Sequence, residues 1–574
     1  MAVLTIDNYE IELGNSRLVF SKSGYSFEDW ITKDITYSER ITLPESGLLN
    51  QIFFRPFSSE IAGKKFSKFH NFKYKDNGKI VFSGICKLLK FNENRQYEIQ
   101  LLDSSFELFE NLNGKLNKLD LESYDFVFNS TAYNTLKVIN SGIWIWPASS
   151  THQEKILSNN ILSGNLAYSR PFFSVKRLIE KMFSVNGWAY ELGSNTSLFD
   201  KIIISAKDKF CFTSFEKSFT GTLTASSFNL ASPVFLKTDT LTGSYALNLT
   251  YKSKIRIRGS ANAENDMLLT ITGTGAKPQT QTFFLNKGLI DYDITSNDFQ
   301  AGTAITISFT GIGNLVLENF LIYTLIDEND FGAMSSAIFT DFKVKTYDNI
   351  PSIDQKDLFK HCLVKIGGYF STNNFNRKLT INSVKSLSKL NAIDWSEKFI
   401  EESENIIPLD GYGKVNYFSY DNSKDSPDNL GRGTFDIDDE TLKESETIYK
   451  SIFAASAEVT ITDKMIDNFI YDDTERVNEI NTLIGYYEEI GAYTVARFEN
   501  LNGNNLLSNY YSNFVKAIQR GEILECKMNL NKSDFFLFDF SKLVYIKQKK
   551  SIYYVLNIGN YIENELTDVR LLKS

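Results

Sequence analysis

The sequence predicts a mainly β fold with some α, divided among several domains, and three observations predict it. Aromatic residues make up 14% of the chain, with 46 Phe and 29 Tyr. Such side chains pack well on a pleated sheet. Apolar and polar residues alternate with period two in many short segments, the mark of half-buried strands. The chain has 574 residues, room for roughly three to five domains.

Residues 1–115 read as an N-terminal β-barrel-like domain. Leu4-Thr5-Ile6 starts a strand, and Ile35 to Leu43 gives another before Pro44. The clearest piece is a hairpin. Ile80-Val81-Phe82 leads through Gly84 to Leu88, Asn92 to Arg95 make a polar turn, and Tyr97 to Leu102 return with period-two alternation. Ser104 then caps a short helix carrying Phe106, Phe109 and Leu112.

Residues 116–206 and 331–400 read as two copies of one α+β unit. The helix Val175 to Phe183 is followed by Asn186-Gly187-Trp188 and an aromatic strand. The helix Lys356 to Leu363 is followed by Gly367-Gly368-Tyr369. Lys176 and Lys356, Leu178 and Leu358, and Gly187 and Gly367 all match at one offset of 180 residues. Each helix follows a Pro and a Ser, and each Gly supplies the positive φ that ends it. A hairpin is expected after each helix, through Lys201 to Ile204 in one copy and Lys378 to Ile381 in the other. Helix–Gly–strand is also a common local solution, so duplication competes with coincidence.

The stretch between the copies, 207–330, is rich in Ser, Thr, Gly and Ala. It alternates through Ala246 to Leu249, Ile255 to Arg258, Leu269 to Ile271, Ile305 to Phe309 and Leu315 to Leu317. Short strands with Gly turns predict an inserted, jelly-roll-like β-sandwich. Residues 401–574 read as a C-terminal β-barrel-like domain. It holds a helix over 504–519, whose apolar face is Leu507, Tyr511, Phe514 and Ile518 and which Gly521 stops. The polar stretch Asp421 to Glu446 reads as a loop.

The formal charge of −9 and pI near 5.3 argue against sequence-reading nucleic-acid binding, which wants a basic face. The four cysteines, at 86, 211, 362 and 526, are too dispersed for a disulfide framework and point to a reduced compartment. No signal peptide stands near Met1, and no run of about 18 apolar residues suggests a membrane span.

Candidate chemistry is sparse. His70, His152 and His361 are the only histidines, and none has metal-ligand spacing or pairs with a Ser or Cys nucleophile. Thr272 to Lys277 has a glance of a phosphate loop. It lies between strands, and Pro278 stands where a helix should start. Asp421 to Asp425 begins like a calcium loop but has Ser426 and Arg432 where Gly and Glu are needed. No carboxylate pair stands out for glycoside hydrolysis. Trp144-Ile145-Trp146-Pro147 offers either a stacking platform or a buried strand. The expectation is therefore no catalytic, cofactor-binding or metal residue, and no enzyme.

The order of parts resembles the bacteriophage tail-tip or baseplate-hub family. The stretches that carry the resemblance are Ile80 to Gly84 with Tyr97 to Leu102, Gly411 to Tyr420, and Val544 to Leu572. The Asn- and Lys-rich usage is similar to that of phages of Bacteroidetes-type hosts. The resemblance implies two tube-like barrels per chain and a homotrimer presenting six. It implies a structural role capping the tail tube, adapting sixfold to threefold symmetry and anchoring spike or fibre proteins for host attachment. Tail-tube and distal tail proteins would be neighbours, and viral DNA would pass through without sequence-specific binding. The protein would belong to the virion tail, assembled in host cytoplasm. Many hubs carry a wall-degrading domain at the C-terminus; this sequence stops at Ser574, so no such activity is implied. The insert 207–330 would project outward to fibres or cell-surface glycan. The rival readings are a cell-surface glycan-binding protein and a glycan hydrolase with a carbohydrate-binding sandwich.

Overall fold

The computed structural model describes the chain apart from residues 1, 12, 14–17, 24–36, 39, 54–68, 77, 129–141, 146–148, 151–170, 208–210, 214–215, 224–239, 250–251, 276, 328–341, 374–375, 388–390, 409–410, 423–428, 463–464, 470–481, 491–492 and 541. The fold is mainly β, with few helices and several sheets.

The chain opens with β1 (Ala2–Ile6), β2 (Tyr9–Ile11), β3 (Phe20–Ser23), β4 (Tyr37–Ser38) and β5 (Ile41–Pro44). After α1 (Gly47–Ile52) come β6 (Phe69–Asp76), β7 (Lys79–Phe91), β8 (Gln96–Asp103) and α2 (Ser104–Asn111). The β7–β8 hairpin forms at the predicted turn. Asn92 accepts from the Gln96 amide at 3.0 Å, and Arg95 takes the positive φ that closes the turn.

Next come β9 (Phe126–Phe128), β10 (Trp144–Ile145), β11 (Ser149–Ser150), β12 (Phe172–Ser174), α3 (Val175–Val185), β13 (Ala189–Leu192) and β14 (Ile202–Ser205). Ser174 caps α3 by accepting from the Arg177 amide.

The alternating stretch gives β15 (Cys211–Phe212), β16 (Glu216–Leu223), β17 (Thr240–Asn248), β18 (Lys254–Ala263) and β19 (Met267–Thr274). It continues with β20 (Gln279–Leu285), β21 (Gly288–Thr295), β22 (Ala304–Ile312) and β23 (Leu315–Asp327). One sheet runs β15-β23-β18-β21, with β16 also on β23, and the other runs β17-β22-β19-β20. Period-two alternation turns Ile255, Ile257, Leu269, Ile271, Ile305 and Ile307 into a core shared by both sheets.

Then follow β24 (Phe342–Val344), α4 (Thr346–Asn349), α5 (Gln355–Val364), β25 (Gly368–Asn373), β26 (Lys378–Ser383) and β27 (Ile393–Asp394). Residues at matching positions of α3 and α5 are buried alike: Leu178 with Leu358, Ile179 with Phe359, Met182 with Cys362. Gly187 and Gly367 have φ of 69° and 56°, as the C-terminal stop requires. The strand partners differ from expectation. β25 and β26 do form a hairpin, but β13 and β14 do not. β13 runs parallel to β26, with Ala189 opposite Lys378, while β14 joins β12 and a later strand. The reason is geometric: Gly193 to Lys201 carry the chain away from β13, and the edge of β26 is free to take it.

The last part holds β28 (Asn405–Pro408), β29 (Gly413–Ser419), β30 (Gly433–Asp436), β31 (Lys443–Lys450), β32 (Ala457–Thr462) and β33 (Met465–Phe469). It continues with β34 (Ile484–Ile490), β35 (Tyr493–Arg497), α6 (Gly503–Tyr510), α7 (Ser512–Arg520), β36 (Glu522–Met528), α8 (Lys532–Phe536), β37 (Val544–Ile546), β38 (Ser551–Tyr561) and β39 (Thr567–Lys573). Two expectations change here. The polar stretch from Asp421 to Glu446 contains β30 and the start of β31, both paired with β29. The helix expected over 504–519 is two helices, broken at Tyr511. Its backbone leaves the helical region (ψ 3°) and its hydroxyl donates to the Val364 carbonyl at 2.7 Å. A buried tertiary hydrogen bond outweighs one turn of helix. Gly521 ends α7 in the left-handed region, as expected.

The two ends of the chain meet. Strands of residues 1–103 and 393–573 form one 14-stranded sheet, ordered β2-β1-β6-β7-β8-β4-β3-β38-β39-β36-β28, with β5, β37 and β27 branching from it. β3 is the seam, antiparallel to both β4 and β38. One hydrophobic cluster joins Leu4, Phe20 and Ile99 to Trp395, Val555 and Val569. A second, larger cluster packs α3 and α5 against α6 and α7.

Candidate functional site

Among the described residues, His70, His361, Cys86, Cys362 and Cys526 are buried. His70 is buried, with Nδ1 2.6 Å from the Asp7 carboxylate and its ring edge-on to Phe53. His361 is buried on α5 with Nδ1 2.8 Å from the Tyr449 hydroxyl. His152 lies outside the described residues. No disulfide joins any of the four cysteines. Burial pushes the thiols of Cys86 and Cys362 well up, and that of Cys526 up to about 12, the opposite of an activated nucleophile. Among the described residues no three His, Cys, Asp or Glu converge as a metal site, and no helix is long and apolar enough to cross a membrane.

The other sequence candidates resolve similarly. Trp144 is buried, with Nε1 donating to the Thr346 hydroxyl at 3.1 Å and the ring 4.3 Å from Phe173. It is a core residue; Trp146 and Pro147 lie outside the described residues. Thr272 to Thr274 end β19, and the strand β20 from Gln279, not a helix, follows Lys277 and Pro278. Asp421 pairs with Lys450 at 2.8 Å, and residues 423–428 lie outside the described residues.

What the fold brings together instead is a pair of matching hairpins. Tyr97-Glu98-Ile99-Gln100-Leu101-Leu102 in β8 corresponds to Thr567-Asp568-Val569-Arg570-Leu571-Leu572 in β39, 470 residues later. Both strands bury their first, third, fifth and sixth residues and leave the second and fourth partly exposed. The partner strands agree at the same offset. Leu88 stands opposite Ile99 as Ile558 stands opposite Val569, and Lys87 opposite Gln100 as Asn557 opposite Arg570. Each hairpin carries one β-bulge, between Leu88 and Lys90 in the first and between Val555 and Asn557 in the second. A bulge bends and twists its strand, and the two bulges flank the matched rungs on opposite sides, three residues apart at this offset. Each is also the last part of a three-strand meander, β6-β7-β8 and β37-β38-β39.

The outward positions of the second hairpin are charged and paired. Arg570 Nε lies 3.3 Å from Glu525, and Lys527 lies 3.4 Å from Asp568. They line a shallow cleft of about 390 Å³ with Ser403, Asn405 and Asn557. Among the described residues, the two terminal strands of the sheet path, β2 and β28, each have one edge with no strand beside it and an exposed apolar side chain, Tyr9 at 49% and Ile406 at 67%. Such edges invite pairing with another chain. The hairpin match is legible in the shared Leu-Leu ending and in Asn94 and Asn564 of the turns, a signal separate from the matched central helices.

No protein-family profile matches this chain, and no curated protein matches it. Among solved structures, the 43 kDa tail protein of prophage MuSo2 from Shewanella oneidensis aligns over 99% of this chain and 97% of its own, at 5% identity and a TM-score of 0.36. A ruminal GH26 endo-β-1,4-mannanase aligns over 19% of this chain and 26% of its own, at 16% identity and a TM-score of 0.13. TmCBM61 in complex with β-1,4-galactotriose aligns over 21% of this chain and 69% of its own, at 10% identity and a TM-score of 0.12. Likenesses at these TM-scores establish no common fold.

Proposed function

We propose that this chain is a non-enzymatic structural hub at the tip of a bacteriophage tail. The observation that carries the reading is the equivalence of the β7–β8 and β38–β39 hairpins within one sheet. A chain holding two matching hairpins lets three copies present six around an axis. That is the arrangement needed where a sixfold tube meets a threefold tip. The free edges at β2 and β28 are where neighbouring copies join. The hub caps the tail tube, holds spike or fibre proteins and passes DNA through an assembly whose chains each carry a net charge of −9, so that DNA is not retained. Its place is the virion tail.

Sedimentation of the purified chain tests this. The expected particle has three times the 65.5 kDa chain mass and shows a threefold axis in averaged electron images. A stable monomer or dimer at micromolar concentration overturns the proposal.

A further inference from the structure

We propose that the outer face of strands β22, β19 and β20 binds an uncharged polysaccharide chain. The inference does not depend on the tail assignment.

The two faces of the sandwich differ in chemistry. The sheet containing β18 and β21 turns charged side chains toward the body of the protein. Arg256 lies 2.5 Å from Asp293, the Arg258 guanidinium stacks 3.2 Å above the Tyr347 ring, and the Tyr347 hydroxyl donates to Asp293. Tyr323 donates to Asp348 at 3.1 Å. Tyr347 and Asp348 belong to α4, outside the sandwich. One face is therefore fastened, and the opposite sheet points away from the fastening.

That opposite sheet carries three registered rows. Thr306, Thr272 and Thr280 form the first, Ser308, Thr270 and Thr282 the second, and Thr310, Leu268 and Phe284 the third. Strands sit about 4.8 Å apart, and rows two residues apart recur roughly every 6.8 Å. The hydroxyls are weakly engaged with one another: Thr280 to Thr272 at 3.4 Å and Thr270 to Thr282 at 3.5 Å. Contacts at the outer limit of hydrogen bonding leave donor and acceptor capacity for a ligand. Phe284 stands at one end of the field, 74% exposed. None of the nine positions is charged.

This chemistry selects the ligand. An anionic polymer needs cations at these positions. A protein partner needs a contiguous apolar centre, and one ring with Leu268 is too little. A neutral sugar chain offers C–H faces for the Phe284 ring and hydroxyls that both donate and accept. A flat, hydroxyl-lined, uncharged field with an aromatic at its end matches both properties.

Affinity electrophoresis of the full chain tests the proposal, with galactomannan, β-1,4-galactan or polygalacturonate cast in separate native gels. Retardation is expected in a neutral gel and not in polygalacturonate. Phe284→Ala is expected to weaken it at least about tenfold, as is the pair Thr272→Val and Thr282→Val, with melting temperature unchanged because these side chains lie on the outside. No retardation in either neutral gel, retardation that survives Phe284→Ala, or stronger retardation by polygalacturonate overturns the inference. A change of sedimenting mass in Phe284→Ala makes the face a contact between copies and overturns it too. An unchanged mass keeps this result separate from that of the trimer test.

Discussion

Phe20 and Tyr561 stand opposite each other across the seam where the first and last parts of the chain join into one sheet. The Phe20 ring is 2% exposed and packs on Tyr74 at 5.6 Å and Phe82 at 5.7 Å from its own end of the chain, and on Phe536 at 5.2 Å from the other. Phe20→Ala should cost about 3–5 kcal/mol. The expected readout is a lower urea midpoint and earlier protease cleavage on both sides of the seam. An unchanged midpoint would show that the ends are held elsewhere.

The two matching glycines should respond unequally. Both have left-handed φ, so alanine strains either by roughly 1–2 kcal/mol. At Gly187 an added Cβ meets only the tip of Arg377, at 3.5 Å. At Gly367 it meets Val384 at 3.0 Å and Tyr510 at 3.2 Å. Gly367→Ala should therefore lower the melting temperature more than Gly187→Ala. Equal losses would contradict the packing.

Gly433 and Gly503 let a strand and a helix touch backbone to backbone. A Cβ on Gly433 would lie 2.2 Å from the Gly503 carbonyl carbon, and one on Gly503 2.2 Å from the Gly433 nitrogen. Neither backbone can give without parting β30 from α6. Alanine at either position should cost about 3 kcal/mol or more and should speed amide exchange at Thr434, whose N–H donates to Asn504 at 3.0 Å.

Lys365 governs a pH dependence. It follows α5, with its ammonium nitrogen 3.8 Å from the Tyr420 ring centre and 5.1 Å from that of Tyr449. Desolvation by burial holds it well below the usual lysine value of 10.5, with the Cys362 thiol opposing weakly. Its nitrogen has no hydrogen-bond partner. Below pH 10.5 the unfolded chain takes up a proton that the folded site resists, so this group makes stability rise with pH up to that point. Lys365→Met should stabilise the protein at pH 7 by roughly 1–3 kcal/mol, and the gain should shrink toward pH 10.5. A gain that is flat with pH would remove the lysine from the explanation.

Ile406 tests how copies join. Ile406→Lys adds charge to the exposed edge of β28, a standard guard against strand addition. If the proposed trimer forms through this edge, the expected outcome is a shift of sedimenting mass from three chains toward 65.5 kDa with an unchanged circular dichroism spectrum. A trimer that persists would place the contact on another surface.

Local pattern was enough to read much of this chain. The β7–β8 hairpin, the helices around Leu178 and Leu358, their stops at Gly187 and Gly367, the stop at Gly521 and the alternating strands of the sandwich all follow from periodicity and turn chemistry within some twenty residues. The hydroxyl rows on the sandwich were hidden, because Thr272, Thr280 and Thr306 become neighbours only through register.

By itself the sequence determined the strongly periodic strands and helices and the faces they bury, since those depend on side-chain period and backbone propensity; the polar strands β30 and β31 carry no such period. Only the tertiary structure decided who pairs with whom: β13 with β26 rather than β14, β3 with β38 across more than 500 residues, and a helix broken so that Tyr511 could reach Val364. A strand edge offers the same N–H and C=O groups to any partner. The choice among partners rests on long-range packing and chain closure, which no local window contains.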